Sequence, residues 1–150
     1  MTLYTYRYPR PAVTVDIAIF MPKDGDFNLL LIKRAQEPYR GLYALPGGFL
    51  DIQETLEEAA LRELEEETGL KTPHLAQVHT FSTLGRDPRD RVISTCFAAI
   101  LPDTSLIDLK AGSDAADLVL LNVNELPPLA FDHNLVIQLV IEKFLYPQQD

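Results

Sequence analysis

The sequence predicts an α/β domain in which a mixed β-sheet lies between helices. Three observations predict it. Two runs, Ala12–Phe20 and Val92–Ile100, are almost wholly apolar and rich in β-branched residues, as buried strands are. A helix with both its start and its stop written into the sequence lies between Thr55 and Gly69. A second helical pattern closes the chain, after further strands. Strands, helix, strands, helix is the order that puts a mixed sheet between helices.

Each element has its own signal. Residues 1–11 hold Tyr4, Tyr6 and Tyr8 with Pro9 and Pro11, an extended lead-in whose alternating aromatics suit packing on a sheet or across a dimer. Ala12–Phe20 is the first strand, Pro22–Asp26 a turn, and Phe27–Arg34 the returning strand of a hairpin. A polar loop, Gln36–Arg40, leads to a short extended piece, Leu42–Leu45, which enters a Gly47-Gly48 turn. Those glycines allow close approach of backbone to a ligand. They are no P-loop, because no Gly-Lys-Ser/Thr follows.

Thr55-Leu56-Glu57-Glu58 reads as a capping box, and Gly69 suits the left-handed position after the last turn. Between them Leu56, Ala60 and Leu64 form an apolar stripe. Leu75–Ser82 is the next strand, Gly85–Arg91 a charged loop, and Val92–Ile100 another strand. Pro102–Ser113 is polar and turn-like, and Leu118–Val123 is a last short strand. Asp132 is placed to cap the closing helix, about 134–145, where Leu135, Val136, Leu139, Val140 and Phe144 keep helical spacing. His133, beside that cap, suits the helix start or a pocket wall better than a metal.

Composition bounds the function. At 150 residues, 47% hydrophobic and 23% charged, the chain suits one domain, 1–150, with a real core. A net charge of −9 argues against nonspecific nucleic-acid binding, which needs a basic footprint. The single Cys96 lies in an apolar run, so a core thiol in a reducing compartment is expected. No signal peptide and no apolar run of membrane-spanning length is visible, so the expectation is a cytoplasmic protein without a membrane partner.

The charge is concentrated. Gly47–Leu70 holds Asp51, Glu54, Glu57, Glu58, Glu63, Glu65, Glu66 and Glu67 against one cation, Arg62. Glu63, Glu66 and Glu67 recur at i, i+3, i+4 and so share one side of the helix. Two unit charges about 4 Å apart repel by roughly 4 kcal/mol near a protein surface. The helix dipole also disfavours anions near its C-terminal end. The plainer reading is a solvated acidic face. The sharper one is a hard divalent cation, Mg²⁺ or Mn²⁺, taking oxygen ligands and bridging to substrate phosphate.

The full spacing favours the sharper reading. Gly48, Glu54, Arg62-Glu63-Leu64, Glu66-Glu67 and Gly69-Leu70, led by Leu45-Pro46-Gly47, resemble a complete Nudix box. That resemblance implies a Nudix-type α/β/α sandwich with a mixed sheet, and a metal-dependent hydrolase of nucleoside diphosphates linked to another moiety. It implies Glu63 and Glu67 as metal ligands and Glu66 as a further ligand or proton acceptor. The Gly47 carbonyl would be a backbone ligand, and Glu54 would pair with Arg62 to hold loop to helix. Asp114 falls where relatives supply a late acidic residue near the metals. Gly48, Arg34, Arg86 and Arg89 are the expected substrate contacts, since bidentate arginine suits phosphate.

Beyond the box the chain resembles the ADP-ribose pyrophosphatase branch, through TVDIAIF (14–20), GLYALPGGFLD, RDPRDRVIS (86–94), KAGSDAADL (110–118) and LPPLAFDH (126–133). The resemblance implies ADP-ribose as substrate, cut to AMP and ribose 5-phosphate, and a homodimer. RDPR and AFDH also resemble Nudix-related repressors of NAD biosynthesis, which carry a winged helix after this domain. With the sequence ending at Asp150, no such domain is expected. A sensor without turnover and a nucleoside triphosphate-cleansing pyrophosphatase are the rival readings.

Overall fold

The computed structural model describes residues 3–106 and 117–148. Its strands are β1 (Ala12–Lys23), β2 (Asp26–Lys33), β3 (Tyr43–Ala44), β4 (Gly47–Phe49), β5 (Ala76–Phe81), β6 (Val92–Ile100) and β7 (Leu118–Asn122). Helix α1 spans Leu56–Thr68 and α2 spans His133–Val140, continuing as a π-turn over Ile141–Leu145.

The sheet runs β3-β2-β1-β6-β5, with β4 paired to β1 and β7 to β2. It is mixed: β1 and β6 are parallel, from Ala12 opposite Val92 to Phe20 opposite Ile100, and the other pairs are antiparallel. Because β1 is covered on both faces, its sequence is apolar without alternation. Val15, Ile17, Ile19 and Met21 pack toward Ala59, Ala60 and Leu64 of α1. Ala18 and Phe20 pack toward Val136, Ile137 and Val140 of α2, in a core that includes Cys96. The result is the α/β/α sandwich.

Three local expectations need correction. Gly47-Gly48 is strand, not turn, with Val15 opposite Gly48 and Asp16 opposite Gly47. A Cβ on Gly47 would run into the Val15 carbonyl, so glycine here lets two backbones meet. The hairpin turn is tighter than Pro22–Asp26, since Pro22 and Lys23 still pair with Phe27 and Asp26. Asp132 sits before α2 but makes no side-chain cap. Both its oxygens are taken by Arg86, at 2.7 and 3.0 Å.

One feature of the sheet makes room for a site. β1 pairs with β4 over Thr14–Asp16 and with β2 only from Phe20 onward. Between these stretches the Ile17 N–H is bonded to the Pro46 carbonyl, at 2.8 Å. A cleft opens there, walled by β1, β2, the Gly47-Gly48 strand and the end of α1.

Candidate active site

Helix α1 supplies the acidic wall, and its ends are fixed as the sequence indicates. Thr55 Oγ1 accepts the Glu58 N–H, and Glu58 returns the bond to the Thr55 N–H. Gly69, at φ 78°, sends its N–H back to the Glu65 carbonyl. Burying Ala59, Ala60 and Leu64 turns Glu63 and Glu67 inward and leaves Glu66 exposed.

The carboxylates do not converge on one point. Among the described residues, no three His, Cys, Asp or Glu side chains form a cage. Arg62 does more than its solitary charge suggested. Its Nη2 meets Glu54 Oε1 at 2.5 Å, its Nε meets Glu54 Oε2 at 3.0 Å, and its Nη1 meets Glu63 Oε1 at 2.8 Å. Glu66 lies 3.3 Å from Nη1, and the Phe49 carbonyl accepts from Nη2 at 3.1 Å. The guanidinium thus ties helix to loop. These bonds hold the Glu54 carboxyl down at about 2 and push Arg62 further up.

Glu63 and Glu67 differ from Glu54 in that desolvation outweighs their hydrogen bonds, whereas the paired bonds from Arg62 dominate at Glu54. Desolvation raises the Glu63 carboxyl against the pull of Arg62. It pushes Glu67 up to about 7, helped by the charges of Glu63 and Asp16 and opposed by the Gly47 N–H. That N–H donates to Glu67 Oε2 at 3.3 Å. A Cβ on Gly48 would lie 2.5 Å from Glu63 Oε1, so only glycine lets the strand sit on that carboxylate. No Lys, Arg or His lies in salt-bridge range of Glu67 among the described residues. The donors are all hard oxygens, and the partly desolvated carboxylates are incompletely neutralised, so the residues present fit a hard divalent cation.

The opposite wall is cationic and aromatic. Arg34 Nε donates to the Pro38 carbonyl at 2.7 Å, and its guanidinium carbon stands 4.9 Å from the Phe131 ring centre. Arg89 stands 5.4 Å from the same ring and 5.1 Å from Phe49, and pairs with the buried Asp87 at 2.8 Å. Burial and the neighbouring Arg89 lower Arg34 from its usual value. Burial works against the Asp87 charge, yet its bonds from Arg89 still leave this carboxyl below the usual range. Arg86 lines the cleft too, but its guanidinium is committed to Asp132. Phe131 has φ 55°, a left-handed conformation that bulky residues seldom adopt.

Of the sequence candidates, Gly47, Gly48, Glu67, Arg34, Arg86 and Arg89 border this cleft. Glu63 touches it through Gly48, and Glu54 and Arg62 brace it from behind. Asp114 lies outside the described residues. Sequence reasoning missed Asp16, Asp87 and Phe131. A lone aspartate amid AVTVDIAIF was a signal, since buried charges need partners. A larger cavity, about 710 Å³, lies between β5 and the C-terminal turn, lined by Val78, Leu139, Phe144 and Tyr146. It holds none of these perturbed groups, so the acidic cleft is the better candidate.

The fold and the helix-borne box together define a Nudix-type domain, and a NUDIX domain model matches residues 10–140. The chain belongs to the Nudix family. It is a Nudix pyrophosphohydrolase, of a family whose hydrolases generally depend on divalent metal. The ADP-ribose pyrophosphatase of Methanocaldococcus jannaschii is 44% identical over 137 residues, covering 91% of this chain and 77% of that protein. The ADPR responsive transcriptional repressor NtrR of Acinetobacter baylyi is 35% identical over 133 residues, covering 87% of this chain. The chain spans only 53% of that repressor's length. Among solved structures, the NUDIX domain of Shewanella oneidensis NrtR complexed with ADP ribose superposes with a TM-score of 0.79 at 31% identity. That match covers 91% of this chain and 90% of the other.

Proposed function

We propose that this chain hydrolyses the diphosphate of ADP-ribose to AMP and ribose 5-phosphate, with Mg²⁺ or Mn²⁺ bound. The observation that carries the reading is the opposition of two walls across one cleft. Glu67, half-buried, and Glu63, buried behind Gly48, stand on one side, and two arginines, Arg34 and Arg89, on the other. A diphosphate is repelled by the first wall alone and drawn by the second. The similarity to an ADP-ribose pyrophosphatase supports the choice of substrate.

Glu63, Glu67 and the Gly47 carbonyl would hold the cation, with Glu66 as a further ligand or as acceptor of the proton released by the attacking water. Bound there, the ion supplies charge neutralisation and water activation. Glu54 and Arg62, with the Phe49 carbonyl, tie the strand and loop before α1 to the helix that would carry the metal ligands. Arg34 and Arg89, with the exposed backbone of Gly48, receive the phosphate oxygens, and Arg86 supports them through Asp132. Water adds its oxygen to one phosphorus and the bridging oxygen leaves on the other phosphate, so positioning and charge stabilisation dominate. Asp114 and a homodimeric assembly belong to the same proposal.

Incubation with ADP-ribose and Mg²⁺ or Mn²⁺, with and without chelator, followed by chromatography, tests it. AMP should appear only with metal, and its absence would sink the substrate claim. The likeness to the ADP-ribose-responsive repressor favours a second reading, a sensor that binds ADP-ribose without cleaving it. Binding measured by calorimetry in the absence of turnover would select that reading. A wider panel of nucleoside diphosphate and triphosphate substrates separates triphosphate cleansing from both.

A further inference from the structure

Two buried polar side chains at the floor of the cleft have no part in the scheme above. Asp16 of β1 is 8% exposed and His133, at the start of α2, is 4% exposed. His133 Nδ1 accepts the Leu45 N–H at 3.0 Å, joining positions 88 apart in the chain. Its Nε2 lies 3.6 Å from Asp16 Oδ1. The other oxygen, Asp16 Oδ2, accepts from Ser94 Oγ at 2.6 Å. Acceptance at Nδ1 assigns the tautomer of a neutral ring: the proton is on Nε2, facing Asp16.

The contacts continue into the site. Leu45 is two residues before Gly47, and Gly47 rests directly on Asp16. A Cβ there would be 2.7 Å from Asp16 Oδ1 and 3.0 Å from its Cα. Nearby, the Ala130 N–H bonds the Tyr43 carbonyl at 2.9 Å, so the start of α2 and the Tyr43–Leu45 segment meet twice. Asp16 therefore touches both the imidazole that holds Leu45 and the glycine that approaches Glu67. A buried aspartate and histidine in a sheet core are costly unless bonded. Ser94 of β6 fixes Asp16, the Leu45 N–H fixes His133, and Asp16 packs against Gly47 of the same segment.

We propose that Asp16 and His133 are positioning residues: they clamp the Leu45–Gly48 segment against α1 and so set the Gly47 carbonyl for the divalent cation. The inference rests on the metal-dependent reading. Groups that orient metal ligands without touching the ion typically change metal affinity about 10–100-fold when removed.

Two substitutions at one position isolate the contact. His133→Asn keeps an acceptor oxygen near the place of Nδ1, and His133→Gln places its amide near Nε2 and leaves the Leu45 N–H unpaired. Mn²⁺ binding to the full chain is read by electron paramagnetic resonance, without substrate. His133→Gln should weaken Mn²⁺ by about 10-fold or more, and His133→Asn should stay close to wild type. At saturating metal, the His133→Gln protein should keep its KM for ADP-ribose. Equal Mn²⁺ affinity in His133→Gln and wild type would overturn the clamp, as would an equal loss in the two variants. A wild-type protein that binds no Mn²⁺ would instead overturn the metal reading beneath it. Should His133→Gln fail to fold, the wild-type protein decides by NMR. A scalar coupling across the hydrogen bond between the Leu45 and His133 Nδ1 nitrogens is expected, with both resonances shifting on Mg²⁺ addition, and absence of either sinks the proposal.

Discussion

Glu67 is a half-buried carboxylate whose hydrogen bond comes from a backbone N–H, and its pKa is pushed up to about 7 by desolvation first and by Glu63 and Asp16 next. A group that binds its proton more tightly when folded stabilises the fold below its unfolded value. That contribution is lost as pH rises through the folded value. For Glu67 the window runs from 4.5 to about 7. Thermal melts in chelator should fall in midpoint as pH rises through this window, and Glu67→Gln should flatten the fall. The same variant should lose about 10²-fold or more in kcat, the scale of removing one preorganised electrostatic group. Wild-type turnover in saturating metal would refute the ligand assignment. Arg86 makes the opposite case. Its pair with Asp132 is nearly buried, the two side chains being 5% and 17% exposed. Arg86→Ala should cost about 3–5 kcal/mol in urea unfolding, because it strands a buried charge. At this scale the sequence was legible where spacing is local, as for Glu63 and Glu67. Asp16 and Asp87 were hidden because what makes them matter is a partner far away or a burial no spacing reveals.

Among elements, α1 was the most legible, because its cap, stripe and stop are all local in sequence. Thr55→Ala removes one half of the capping box and should cost about 1 kcal/mol, measured by denaturant titration. A loss of turnover beyond that expected from stability would show that the cap also steers Glu63. The strand β4 was not legible. A Gly-Gly pair carries the composition of a turn, and only the close approach of the Val15 backbone explains it as strand. The cap of α2 failed for a related reason. Asp132 is a good capping residue, but the Arg86 guanidinium, 46 positions earlier, offers a charge-assisted pair of bonds instead. Long-range competition of this kind leaves no trace in a local window.

For the whole molecule, the two apolar clusters on either side of β1 explain why the fold class was readable from two strands and two helices. Binding of a cation by the folded chain alone would stabilise it by about 2.7 kcal/mol at one hundred times its Kd. For a chain of this size that is a rise in Tm of about 5–10 °C. Calorimetry with Mg²⁺ and then with chelator checks it, and no shift at millimolar metal would count against a folded-state site. No helix among the described residues is long and apolar enough to cross a membrane.

The parallel pairing of β1 with β6 has a consequence for how the chain is made. Ala12 meets Val92 and Phe20 meets Ile100, so the sheet's middle strand lacks this neighbour until most of the chain has left the ribosome. Until then its apolar edge is open to strangers, and non-local pairings of this kind form slowly. Nascent chains halted before residue 92 should be the ones that chaperones hold.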